Sequence, residues 1–214
     1  LAAAPLLQIA RNAPGANYFD AVLAGYIRLS STSRYPPEEH FLMLRNAMAI
    51  AQTSPEKQNI LKEIRNCKTY PALLFAGRFL EDSSLQQEAA LTVMRIALSD
   101  DQWNGDTVRN LLEKSSALLN GPDAAYERQA ISKHLAELPA GEGFVPLFNG
   151  KDLTGWKGLL GNPIQRAKAD SEMLSKMQVV ADARMRSAWY VQNGELVFSG
   201  KGDNLCTVKK YGDF

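Results

Sequence analysis

Phe144-Val145-Pro146-Leu147-Phe148-Asn149-Gly150-Lys151-Asp152-Leu153-Thr154-Gly155-Trp156 is the stretch that divides this chain. Ahead of it, apolar residues recur at helical spacing. Beyond it come short alternating runs and turn pairs, with one helical interruption. Within the stretch, Phe144, Leu147 and Phe148 supply an apolar anchor, Pro146 keeps the backbone extended, and Asn149-Gly150 is a strong turn pair. Leu153 can point back inward, and Thr154-Gly155-Trp156 closes on a large aromatic. The spacing predicts a β-domain's first strand entering a tight corner, and turn chemistry accounts for each residue taken singly.

Composition narrows the functional classes. The chain has 214 residues, 45% hydrophobic and 22% charged, which suits one large or two small domains. It carries 24 basic and 23 acidic residues, with 14 and 15 of them before Gly141 and 10 and 8 after it. Neither part has the charge excess of a nucleic-acid or anionic-membrane binder. No apolar run approaches the ~18 residues of a membrane span. Cys67 and Cys206 fall in different expected domains, so two unpaired thiols are expected rather than a disulfide. The first residue is Leu1, so the absence of a leader says nothing about export.

Residues 1–138 read as a helical repeat. Leu1–Asn12 suits one helix of a pair. Phe19, Val22, Leu23, Tyr26 and Ile27 give an amphipathic stripe, as do Phe41, Leu44, Met48 and Ala51. Ser54-Pro55-Glu56 predicts an N-cap with proline in the first turn, Ser84 with Gln87 fits a capping box, and Asp106 suits a cap. Helix starts near 17, 37, 55, 70, 84, 107 and 122 recur at the helix-pair period of a solenoid, and Glu88-Ala89-Ala90-Leu91 echoes Asp20-Ala21-Val22-Leu23. A HEAT-like α-solenoid of three to four helix pairs is expected, with a surface for a protein partner. Its histidines, His40 and His134, are far apart in sequence and make no metal site, so this region is expected to bind or space rather than catalyse.

Residues 139–143 read as a short linker, and 144–214 as the start of a β-domain. Asn162-Pro163 opens a helical insert at about 163–186, broken near Asp170-Ser171. Such an insert can be a flap over a sheet edge or the rim of an active site, and both readings stay open. Val191–Phe198 predicts a hairpin around Asn193-Gly194, and Leu205–Val208 a short strand. Gly200-x-Gly202 lacks the lysine and helix of a phosphate loop. Sugars are held by aromatic faces with carboxylate and amide hydrogen bonds. Trp156, Glu195, Asn204, Lys209 and Asp213 are therefore the candidate substrate-binding residues.

Three segments in order carry a more specific signal. They are Phe144–Trp156, the Trp189-Tyr190-Val191-Gln192-Asn193-Gly194-Glu195-Leu196 strand-turn-strand, and Leu205-Cys206-Thr207 followed by Tyr211-Gly212-Asp213-Phe214. Together they resemble the N-terminal part of the 3-keto-disaccharide hydrolase family, a concanavalin-like (laminarinase-like) jelly-roll β-sandwich. The resemblance covers about the last third of the chain. It implies an exported bacterial protein, periplasmic or secreted, that acts on an oligosaccharide or a 3-keto-glycoside, and it places Lys209 and Asp213 beside the family's concave face. It also implies elimination next to a ketone, served by a general base and an electrophile. The catalytic residues stay unassigned. They are expected mostly beyond Phe214, so the 214 residues alone are expected to be inactive. A divalent metal is an open cofactor choice with no ligands in this stretch. The alternative is a glycan-binding or protein-interaction module without turnover, because such sandwiches host both.

Overall fold

A computed structural model describes residues 3–15, 17–32, 35–139, 141, 143 and 146–211. The chain divides into two compact units, Leu1–Val145 and Pro146–Phe214. The first is a helical region and the second carries short antiparallel strands, as expected of a β-domain's beginning.

The helical unit contains α1 (Ala3–Asn12), α2 (Phe19–Thr32), α3 (Pro37–Met48), α4 (Ser54–Ile64), α5 (Tyr70–Gly77), α6 (Gln86–Ala97), α7 (Asp106–Leu118) and α8 (Ala124–Glu137). Each helix packs on the next, and α4 also packs on α6, just as α2 reaches past α3 to α4. α2, α4 and α6 therefore form one continuous row of contacts. The centre is α6, where Ala89, Ala90, Thr92, Val93, Met94, Ile96 and Ala97 are buried and Arg95 is exposed. A helix with this many buried residues is stable only when neighbours cover it, here α4, α5 and α7. Leu61 and Ile60 of α4, Leu73 of α5 and Leu112 of α7 close around it.

Polar side chains then set the register between helices. Thr92 on α6 donates its buried hydroxyl to the Leu61 carbonyl on α4 at 3.0 Å. Arg65, just past α4, pairs with Glu88 on α6. Gln87 and the Asn120 backbone exchange two hydrogen bonds of 3.0 Å.

Three helix starts differ in detail from the sequence expectation. The cap of α4 is Thr53, not Ser54: Thr53 and Glu56 form a reciprocal capping box, and Ser54 is the first helical residue. Ser84 does not cap α6. Its backbone N–H and hydroxyl both donate to the Asp82 carboxylate, and Gln87 is engaged with Asn120. Asp106 is the first residue of α7, after Gly105 in a positive-φ conformation. At α4 an adjacent hydroxyl takes the capping role, whereas α6 and α7 start after Leu85 and Gly105 with no side-chain cap.

At the far end α7 and α8 cap each other. Arg109 on α7 donates to the Leu135, Leu138 and Pro139 carbonyls at 3.1, 2.7 and 3.1 Å. Arg128 on α8 donates to the Ser116 carbonyl at 3.1 Å and also to that of Leu119. Those carbonyls are orphan acceptors at helix ends. Arg109→Ala is expected to cost about 1–2 kcal/mol and fray the end of α8, as read by denaturant unfolding and amide exchange. An unchanged midpoint would remove Arg109 from the account of this helix pair.

In the second unit, β1 (Trp156–Gly158) is followed by α9 (Pro163–Lys168), α10 (Ser171–Ala188), β2 (Trp189–Gln192), β3 (Glu195–Phe198) and β4 (Leu205–Thr207). β1 pairs antiparallel with β4, and β2 with β3. Asn193 and Gly194 both take positive φ, 53° and 77°, so the hairpin turns where the Asn-Gly pair predicts. Asn162 opens α9 with a capping box to Gln165, and Asp170 caps α10 after the expected break. The insert runs on to Ala188 and passes directly into β2.

The strand expected just before the Asn149-Gly150 corner is a correction. Phe144 and Val145 lie outside the described residues, 146–148 are not a strand, and the first strand begins at Trp156. Side chains here satisfy the backbone in place of a neighbouring strand. Asn149 Oδ1 accepts from the N–H groups of Lys151 and Asp152 at 2.8 and 3.0 Å, and Asp152 Oδ1 accepts from Thr154 N–H at 2.8 Å. Leu147 stays exposed. Pro146 brings no N–H of its own to a ladder.

Candidate functional site

The β-unit is built around α10. Ala181, Met185 and Ala188 of that helix are buried, and β1 lies against it at Gly158. Both backbone groups of Gly158 are held from α10. Its N–H donates to Asp182 Oδ1 at 2.8 Å, and its carbonyl accepts from Gln178 Nε2 at 3.0 Å. Gln178 also donates to Asp182, at 2.7 Å. The Gly158 N–H is the main cause that holds the Asp182 carboxyl below the usual carboxylate range. The other end of α10 receives the hairpin. Ser199 N–H donates to the Ala188 carbonyl at 2.8 Å, and Trp189 Nε1 to the Asp203 carbonyl at 3.0 Å. The Trp189 ring lies 4.7 Å from that of Phe198.

This framework spreads the candidate substrate-binding residues apart. Trp156 opens β1 opposite Thr207 and shares a face with Gly158, the face turned to α10. Its indole N–H is buried with no acceptor among the described residues. Lys209 lies near that same end of the β1–β4 pair, since Val208 N–H donates to the Gly155 carbonyl at 2.8 Å. It is exposed, with its ammonium 5.4 Å from the Tyr211 ring centre. Asn204 is exposed at the opposite end, where its carbonyl accepts from Leu159 N–H at 2.9 Å. Glu195 sits on the separate hairpin, paired with Gln192 beside the turn. Asp213 lies outside the described residues. Trp156 and Lys209 are thus brought to one end of one ladder, while Asn204 and Glu195 are not.

The residues that do converge were not singled out by sequence reasoning. Leu159, Leu160, Met173, Met177 and Val180 line a groove of about 490 Å³ along α10, with Lys176, Arg184 and Asp203 at its rim. Lys176 pairs with Glu172 at 2.7 Å and Arg184 with Asp203 at 3.4 Å. The signal was present as the 173/177/180 spacing, one stripe of a helix. The insert therefore both packs on β1 and walls a groove.

The corner before β1 is an electrostatic unit of its own. Asn149 Nδ2, then the Thr154 hydroxyl and N–H, hold the exposed Asp152 carboxyl down to about 2. A depressed folded-state value means that this turn's contribution is complete above the unfolded value of ~3.9 and is lost as pH falls through about 2. Carbon-detected titration of Asp152 is expected to show its inflection near pH 2, and Asn149→Ala to move it upward. An inflection at ~3.9 in the parent protein would refute the corner geometry.

In the helical unit, Ser30, Ser31, His40, Glu63 and Cys67 border a crevice of about 70 Å³, enough for about two waters. Burial, and secondarily Glu63, pushes the Cys67 thiol up to about 12, so it is no nucleophile at neutral pH. Among the described residues no group of three or more His, Cys, Asp or Glu is placed to hold a metal ion. No described helix is long and apolar enough to cross a membrane.

Residues 143–214 match the family model of the 3-keto-alpha-glucoside-1,2-lyase-like domain, the family whose motifs these residues resemble. The match covers 72 of 214 residues, about a third of the chain. No curated protein and no solved structure matches the chain.

Proposed function

We propose that the β-unit belongs to a carbohydrate-acting site that cleaves 3-keto-glycosides, and that the helical unit, a HEAT-like repeat, docks a partner or sets a spacing. The observation that carries the first part is the family match over residues 143–214. The second rests on the row of contacts α2–α4–α6, the arrangement from which solenoid repeats build a partner-binding face. The proposed limits are 1–138 for the repeat, 139–143 for a linker and 144–214 for the β-domain, in a periplasmic or secreted protein.

The chemistry follows from the ketone. A carbonyl at C3 acidifies the C2–H bond, so a general base can take that proton. The freed electron pair forms the C1–C2 double bond as the C1–O bond breaks, and the departing oxygen is protonated to the alcohol. Addition of water to the unsaturated ketone completes a net hydrolysis. An unoxidised glycoside has no such acidity and would not react. Within this scheme the exposed Lys209 reaches toward a hydroxyl of a bound sugar, and Asn204, Glu195 and Asp213 are candidate contacts to other parts of an oligosaccharide. Trp156 supplies packing at the Lys209 end.

The test has two arms. Titrating the chain with an aryl 3-keto-glucoside and with the parent aryl glucoside is expected to give tighter binding of the keto sugar. Phenol release is then followed in the longest form its source produces, and is expected from the keto sugar alone. Equal binding of both sugars without release would support a glycan-binding module instead. No binding of either would sink the carbohydrate reading.

A further inference from the structure

No further inference is drawn: the strongest candidate, the apolar groove that Met173, Met177 and Val180 of α10 form with Leu159 and Leu160, carries nothing because its rim charges Lys176 and Arg184 are already paired and nothing in the structure shows what covers it.

Discussion

Gly158→Ala is expected to unfold the β-unit while leaving the helical unit intact. A methyl group on Gly158 would fall on the Ala181 carbonyl of α10 and lie 2.8 Å from the Asp182 nitrogen. Those are helix backbone atoms, so no side-chain rotation relieves the clash. The strand must instead lift away and forfeit the hydrogen bonds to Asp182 and Gln178. Overpacking costs about 1–3 kcal/mol, and each forfeited hydrogen bond adds about 0.5–1.5 kcal/mol. The described part of this unit buries only Ala181, Met185 and Ala188 among its apolar residues, so it has little stability in reserve. Limited proteolysis should then cut the variant between residues 146 and 211 and leave the helical unit protected. Parent-like resistance would show that β1 does not rest on α10 through this glycine.

Leu61→Ala should have the largest effect in the helical unit. Leu61 is fully buried on α4, and its carbonyl accepts the Thr92 hydroxyl from α6. Truncating a buried leucine costs about 2–5 kcal/mol, more where the surroundings cannot collapse into the space. The neighbours here are helix faces held in register by Thr92 and by the Arg65–Glu88 pair, so collapse is restricted. For a unit of this size the melting temperature should fall by roughly 10 °C. Thr92→Val, which keeps the volume and removes the hydroxyl, should cost only about 1 kcal/mol. Calorimetry on both variants separates packing from hydrogen bonding. A Leu61→Ala loss no larger than that of Thr92→Val would place the main support of the α4–α6 contact elsewhere.

Much of the fold was legible because it depends on neighbours in sequence. The stripes 19/22/23/26/27 and 41/44/48 announce α2 and α3 through a 3.6-residue period that needs no tertiary information. Asn193-Gly194 announces the hairpin because positive φ at two successive positions suits few other pairs. Asn162-Pro163 announces α9 because a capping side chain followed by proline in the first turn is a local signal. Where two polar residues compete, local reading chose the wrong one. Thr53 and Ser54 are both good caps, and only the position of Glu56 against the helix start selects Thr53.

The candidate site was legible in residue type and not in arrangement. Trp156 was chosen for its ring, and the pairing of β1 with β4, some fifty residues apart, is what turns it toward α10. Lys209 joins it through that same ladder, while Glu195 falls on a different sheet that no spacing rule foretells. The sequence by itself determined the order of the helices, the hairpin, and the motifs by which residues 143–214 match the 3-keto-alpha-glucoside-1,2-lyase-like domain. Only the tertiary structure decided that β1 lies at Trp156–Gly158, that α10 is its support, and that Met173, Met177 and Val180 share a groove. The division has a physical cause. Dihedral preferences, caps and turns are settled within a few residues, whereas a strand's partner and the facing of its side chains depend on contacts closed over long loops.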